Sequence, residues 1–134
     1  MQFAMHATKL VVRDVPRAER FYTALGLKLV NRNVGGEGDV HQEQSWLSNT
    51  GDMSSHVLIL TRFVELPEAP QTVYPGEIWL CFQVPDVEES IATVEANGGS
   101  CRRAGENRPE HQVRAAVVCD MEGHVIELVG PMKG

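Results

Sequence analysis

Two short segments of this 134-residue chain nearly coincide. The run from Ser55 to Thr61 reads SHVLILT, and the run from Gly123 to Val129 reads GHVIELV. They agree at the histidine, the valine and the aliphatic positions, and they part where Glu127 stands opposite Ile59. A carboxylate inside an apolar, β-favouring run is costly to bury without a partner. Glu127 is therefore the first residue to ask about chemistry. It can act as a general base if burial tunes its pKa, anchor a polar group of a ligand, bind a metal, or form half of an ion pair. The other reactive side chains are less pointed. Cys81, Cys101 and Cys119 have neither C-x-x-C nor zinc-site spacing and read as reduced thiols of a cytoplasmic protein. Arg102, Arg103, Arg108 and Arg114 form a modest basic cluster that is either solvated surface or a guide for an anionic substrate. The chain has no glycine-rich phosphate loop, no recognisable Ser-His-Asp arrangement and no H-E-x-x-H motif.

The elements that must position these residues also come in pairs. LVVRDVPRAERFYTALGLKLV (10–30) and CFQVPDVEESIATVEANGGSC (81–101) each open on an apolar run, continue with Asp-Val, and reach a glycine twelve residues after the aspartate. Asp14 and Asp86 suit helix N-caps, Pro16 falls in a first turn where its missing N–H is harmless, and Gly26 and Gly98 suit helix ends. Ala18, Phe21, Tyr22 and Leu25 form one apolar stripe, and Ile91 and Val94 begin another. Three strand-like segments follow each predicted helix, while NVGGEGDV and AGENRPE read as polar loops. The chain is thus expected to be a single α+β domain over 1–134. Its first module covers 1–63, a proline-containing linker 64–76, and a second module 77–134. One helix leaves one face of a four-stranded sheet uncovered, so two modules are expected to pair into a curved mixed sheet around a cleft, helices outside.

Composition limits the partners. Apolar residues at 43% and charged residues at 22% are those of a globular domain rather than a disordered one. The net charge of −6 argues against a nucleic-acid partner. No apolar run reaches the roughly 20 residues of a membrane span, and the first residues lack the pattern of a signal peptide.

A duplicated strand-helix-three-strand module with these residues resembles the vicinal oxygen chelate superfamily, which includes glyoxalase I, bleomycin-resistance proteins and extradiol dioxygenases. The carriers are RDVPRAERFYTALGLKLV, similar to that family's first helix, and DMEGHVIELVG, similar to its final strand. The resemblance implies a homodimer and a small-molecule ligand. In metal-dependent members it also implies four ligands, one from the first and last strand of each module. Carried over by position, those ligands fall on Ala7, Ile59, Trp79 and Glu127. Only Glu127 can bind a metal; indole nitrogen is a donor. A displaced His6, Glu77 and Glu127 site would need a bulge to turn His6 inward.

Strand alternation then gives the expected cleft lining. Ala7, Lys9 and Val11 come from the first strand, Trp46 from the third, and Val57, Ile59 and Thr61 from the fourth. Trp79, Cys81 and Gln83 come from the fifth, and Val125 and Glu127 from the last, with Lys9 a candidate partner for Glu127. His56 and His124 fall on the helix side and read as structural. The resulting expectation is a protein that binds a small, aromatic organic ligand in an apolar cleft. Ala7, Lys9, Trp46, Ile59, Trp79, Cys81, Gln83 and Glu127 would line it, no cofactor would be needed, and Glu127 would be the candidate catalytic group if there is catalysis. The alternative is a divalent-metal lyase or dioxygenase with a rearranged site that uses Glu127.

Overall fold

The computed structural model describes residues 1–65 and 78–134; residues 66–77, which hold most of the expected linker together with Glu77, lie outside the described residues. The chain divides into two compact units, Met1–Pro70 and Gln71–Gly134. The first contains β1 (Ala7–Val11), α1 (Val15–Ala24), β2 (Lys28–Gly35), a 3-10 turn (Gly38–Val40), β3 (Gln42–Ser48) and β4 (Val57–Phe63). The second contains β5 (Leu80–Gln83), α2 (Val87–Ala96), β6 (Ser100–Arg108), β7 (Val113–Cys119) and β8 (Val125–Gly130). Each unit holds one mixed four-stranded sheet, ordered β1-β4-β3-β2 and β5-β8-β7-β6. The β1–β4 and β5–β8 pairs are parallel and the other pairs antiparallel. This is the tandem α+β module that the sequence repeat predicts.

The two helices are bounded by the same local chemistry. Asp14 and Asp86 sit in extended backbone, and each accepts an N–H from the third residue beyond it, Arg17 and Glu89, at 3.0 Å. At the other end Leu27 N–H reaches the Tyr22 carbonyl at 3.2 Å, and Gly99 N–H reaches that of Val94 at 2.9 Å. Inside each of these bonds a shorter loop closes, from Gly26 to Thr23 and from Gly98 to Glu95. Both are Schellman closures. They need positive φ at Gly26 (109°) and Gly98 (94°), which glycine adopts without a Cβ clash.

Each sheet buries one face against its helix. In the first unit Leu10, Leu47, Leu58 and Leu60 alternate along their strands and pack with Ala18, Phe21 and Tyr22 of α1, all of them buried. Phe21 and Tyr22 meet edge to face at 5.0 Å. In the second unit Ala116, Val118, Ile126 and Leu128 lie buried on the side of Val87 and Val94 of α2. Truncating a buried ring such as Phe21 to alanine typically costs about 3–5 kcal/mol, a large fraction of a domain's stability.

One sequence expectation needs correction. AGENRPE, read as a polar loop, instead belongs largely to β6, which runs on to Arg108. The strand survives its polar composition because Arg114 on β7 ties it down. The guanidinium donates to the Gly105 carbonyl at 2.9 Å, to Asn107 Oδ1 at 3.1 Å and to Glu88 of α2 at 2.7 Å. NVGGEGDV is likewise partly strand, since β2 continues to Gly35.

Glu88 also meets Lys133 at 3.2 Å, and hydrogen bonding to Arg114 is the main reason its carboxyl falls from an ordinary 4.5 to about 2. Its pKa is lowered in the folded state, so its contribution to stability is present above pH 4.5 and is lost as pH falls from 4.5 towards 2. The melting temperature should therefore decline through that window, and Glu88→Gln should make the decline shallower. Thermal melts of the two proteins across that acid range check this.

Candidate functional site

The face of each sheet opposite its helix carries the residues singled out by the sequence. In the second unit Cys81 on β5 is the register partner of Glu127 on β8; Glu127 faces Val117 on β7, and Val117 faces Arg103 on β6. These four form one row across the sheet. The Cys81 thiol donates to Glu127 Oε1 across 3.8 Å. Although Cys81 as a residue is exposed, partial desolvation of its thiol, and after that the Glu127 charge, raises its pKa above the ordinary 9.0. Cys81 is thus a protonated hydrogen-bond donor at neutral pH rather than a nucleophile. Gln83 follows on the same face, opposite Val129.

Trp79 lies one residue before β5 and is 46% exposed. The Arg102 guanidinium carbon sits 5.8 Å from its ring centroid, a cation–π contact worth about 0.5–1 kcal/mol at an exposed site. Trp79 and Arg102 belong to opposite edges of the sheet, so their contact reaches across β8 and β7. Arg102 falls at the register shift between Cys101 and Arg103, and a bulge of this kind re-aims a side chain. Sequence reasoning placed Arg102 in a basic cluster that is either solvated surface or a guide for an anionic substrate. Its position beside Trp79 depends on that bulge, which nothing in the residue pattern announces.

In the first unit Lys9 on β1, Ile59 on β4 and Trp46 on β3 form the corresponding row, and Asn31 on β2 extends it. Lys9 Nζ donates to Gln42 Oε1 at 2.8 Å. The same oxygen accepts from Gln44 Nε2 at 2.9 Å and from Thr61 Oγ1 at 2.9 Å. Trp46 Nε1 donates to Gln44 Oε1 at 3.0 Å. Gln42 and Gln44 were missed by sequence reasoning. Their signal was the spacing of Gln42, Gln44 and Trp46 at every second residue of one strand, which puts all three on one face. Lys9 and Glu127, expected to pair, belong to different units; within their own units their partners are Gln42 and Cys81. Ala7 stands beside Val57, two residues before this row along β1 and β4.

The donor chemistry does not fit a four-ligand metal centre. Ala7, Ile59 and Trp79 supply no metal-binding lone pair, and among the described residues no three of His, Cys, Asp and Glu cluster. His6 is exposed before β1, and Glu77 lies outside the described residues. Two further histidines, His56 and His124, have structural partners. His56 Nε2 bonds Thr8 Oγ1 at 2.8 Å. His124 Nδ1 lies 2.8 Å from the buried Asp120, which also accepts the N–H groups of Glu122 and His124 and so closes the β7–β8 turn. A groove of about 790 Å³ between α1, β2 and β3 lies beside the Glu19–Arg32 ion pair and contains none of the residues expected to bind a ligand. No described helix is long and apolar enough to cross a membrane.

The family model described as Glyoxalase/Bleomycin resistance protein/Dioxygenase superfamily matches residues 4–128. The chain belongs to this superfamily. Among solved structures, a glyoxalase family protein from Bacillus cereus is similar at 20% identity with a TM-score of 0.82, covering 99% of this chain and 97% of that one. A variant of glyoxalase I from Zea mays is similar at 25% identity and a TM-score of 0.76 over 92% of this chain but 44% of its own. The trypanothione-dependent glyoxalase I of Leishmania major is similar at 25% identity and a TM-score of 0.71, over 96% of this chain and 87% of that one. No curated protein sequence matches the chain. In this superfamily member the carboxylate of Glu127 pairs with a thiol.

Replacing that carboxylate tests the pairing. Glu127→Gln removes the charge that opposes thiolate formation, so the Cys81 pKa should fall and Cys81 should alkylate faster with iodoacetamide at mildly alkaline pH. Rates resolved by peptide mass spectrometry, with Cys101 and Cys119 as internal references, provide the measurement.

Proposed function

We propose that this superfamily member binds a small, planar organic molecule without a metal, as a cytoplasmic homodimer, and that its open sheet faces supply the contacts. The observation that carries the reading is Trp79, half exposed, with the Arg102 guanidinium over its ring and Glu127 on the adjacent strand beside Cys81, two residues after Trp79. An exposed indole backed by a cation offers a flat surface to an aromatic ring, and stacking of this kind contributes about 0.5–1.5 kcal/mol beyond the area buried. Glu127 and Gln83 offer an acceptor and an amide to fix the ligand's orientation, the usual pattern of a few polar groups on an apolar site. Homodimer formation is what the tandem module's family resemblance implies, and three free thiols suit a reducing compartment.

After treatment with chelator, the melting temperature should rise with the neutral bicyclic amide 2-naphthamide and stay constant as Ni, Zn, Mn or Fe(II) is returned. A ligand specific for the folded state stabilises it by about 2.7 kcal/mol at a hundredfold excess over its dissociation constant. Trp79→Leu should weaken 2-naphthamide binding about three- to tenfold. A metal-induced rise that disappears in Glu127→Ala would replace this reading with a metal-dependent lyase or dioxygenase. Light scattering that gives a monomer mass would remove the dimer.

A further inference from the structure

On the face of each sheet opposite its helix, the parallel strand pair carries one charge, and its sign differs between the two units. The central pair in the first unit is Lys9 and Ile59; the equivalent pair in the second unit is Cys81 and Glu127. Ile59 cannot neutralise Lys9. Glu43 is engaged by Arg62, Glu19 by Arg32, and Glu65 by His41, and Lys9 has Gln42, a neutral amide, as its partner. The ammonium therefore meets no carboxylate among its described partners and has two further N–H donors.

Its position is also fixed. Gln42 Oε1 gathers Lys9, Gln44 and Thr61, and the other end of the Gln42 amide donates to the Val40 carbonyl at 3.3 Å. Thr61 is fully buried and Gln44 is 8% exposed, so this amide chain is anchored in the protein and not a surface coincidence. The chain ends on the indole N–H of Trp46. That bond uses the only polar group of Trp46 and holds the ring, leaving its faces for an apolar partner. Lys9 and Trp46 flank Ile59 on adjacent strands, so their backbones lie about 10 Å apart, the span of a bicyclic ring bearing one charged substituent.

The geometry points to a subsite for a planar aromatic anion, its acidic group on Lys9 and its ring against Trp46. This deepens the planar-ligand reading and rests on it. Glu127 has no equivalent on this face, so an anion meets no carboxylate in the row. A charge-assisted hydrogen bond to a fixed ammonium separates an anionic ligand from its neutral isostere by about tenfold.

The test is calorimetric titration of the full chain with 2-naphthoate and 2-naphthamide, which share a ring system and differ in charge. Naphthoate should bind about tenfold more tightly than the amide. Lys9→Met keeps the side-chain length and removes the charge; it should bring the two ligands within twofold by weakening naphthoate. Lys133→Met, which removes a lysine of the second unit, should keep the preference. Raising salt should weaken naphthoate selectively. Equal affinities in the unmodified protein, or a preference that survives Lys9→Met and disappears in Arg102→Met, would overturn the assignment. In either of those cases the amide still binds and the planar-ligand reading stands. Binding of neither probe overturns both.

Discussion

A four-stranded sheet with a single helix can pack only one of its faces against that helix. In each unit a ten-residue helix covers that face, and the pleat sends every second side chain of every strand to the other. The parallel pairs β1–β4 and β5–β8 fix which residues stand at the centre of the open face, because register in a parallel pair sets neighbours residue by residue. A shift by one residue would exchange Glu127 for Ile126, placing a charge against α2 and an isoleucine in the open row. The apolar packing of Ile126, Leu128 and Val118 thus holds Glu127 in place without touching it.

The same constraint accounts for the difference between the two copies. A carboxylate is tolerated at Glu127 because its strand neighbour, Cys81, is an uncharged donor and the position is only half buried. At Ile59 the position is 4% exposed, and the neighbouring charge, Lys9, is already committed to an amide. A second ionised group there would have to be desolvated beside a lysine whose geometry Gln42 sets. Such pairs recover their desolvation cost only with near-ideal geometry. The parallel pair of each row therefore carries one charge, positive in the first unit and negative in the second.

Much of this was legible in the residues. The Asp-to-Gly interval of twelve marks both helices because it spans a side-chain N-cap and a left-handed C-terminal closure, both local chemistry. The open-face residues follow from alternation once the strands are placed. What escaped was set by contacts between strands. β6 reads as a loop because its strand character comes from Arg114, whose partners lie on β6 itself and on α2. Arg102 reaches Trp79 through a bulge, and bulges depend on the partner strand as much as on the bulged one. The glutamine chain was visible as an alternating pattern, but its meaning required knowing that Lys9 and Thr61 converge on the same oxygen.

That glutamine chain makes the two copies unequal in a further way. In the first unit the open face is interlocked. Changing Gln42 disturbs Lys9, Gln44 and Thr61 together, and coupled sites of this kind respond non-additively to substitution. In the second unit Trp79, Cys81, Gln83 and Arg103 are exposed, and among the described contacts each has at most one side-chain partner. Substitutions on the second copy can therefore act one residue at a time, while those on the first copy, bound by its own wiring, act together.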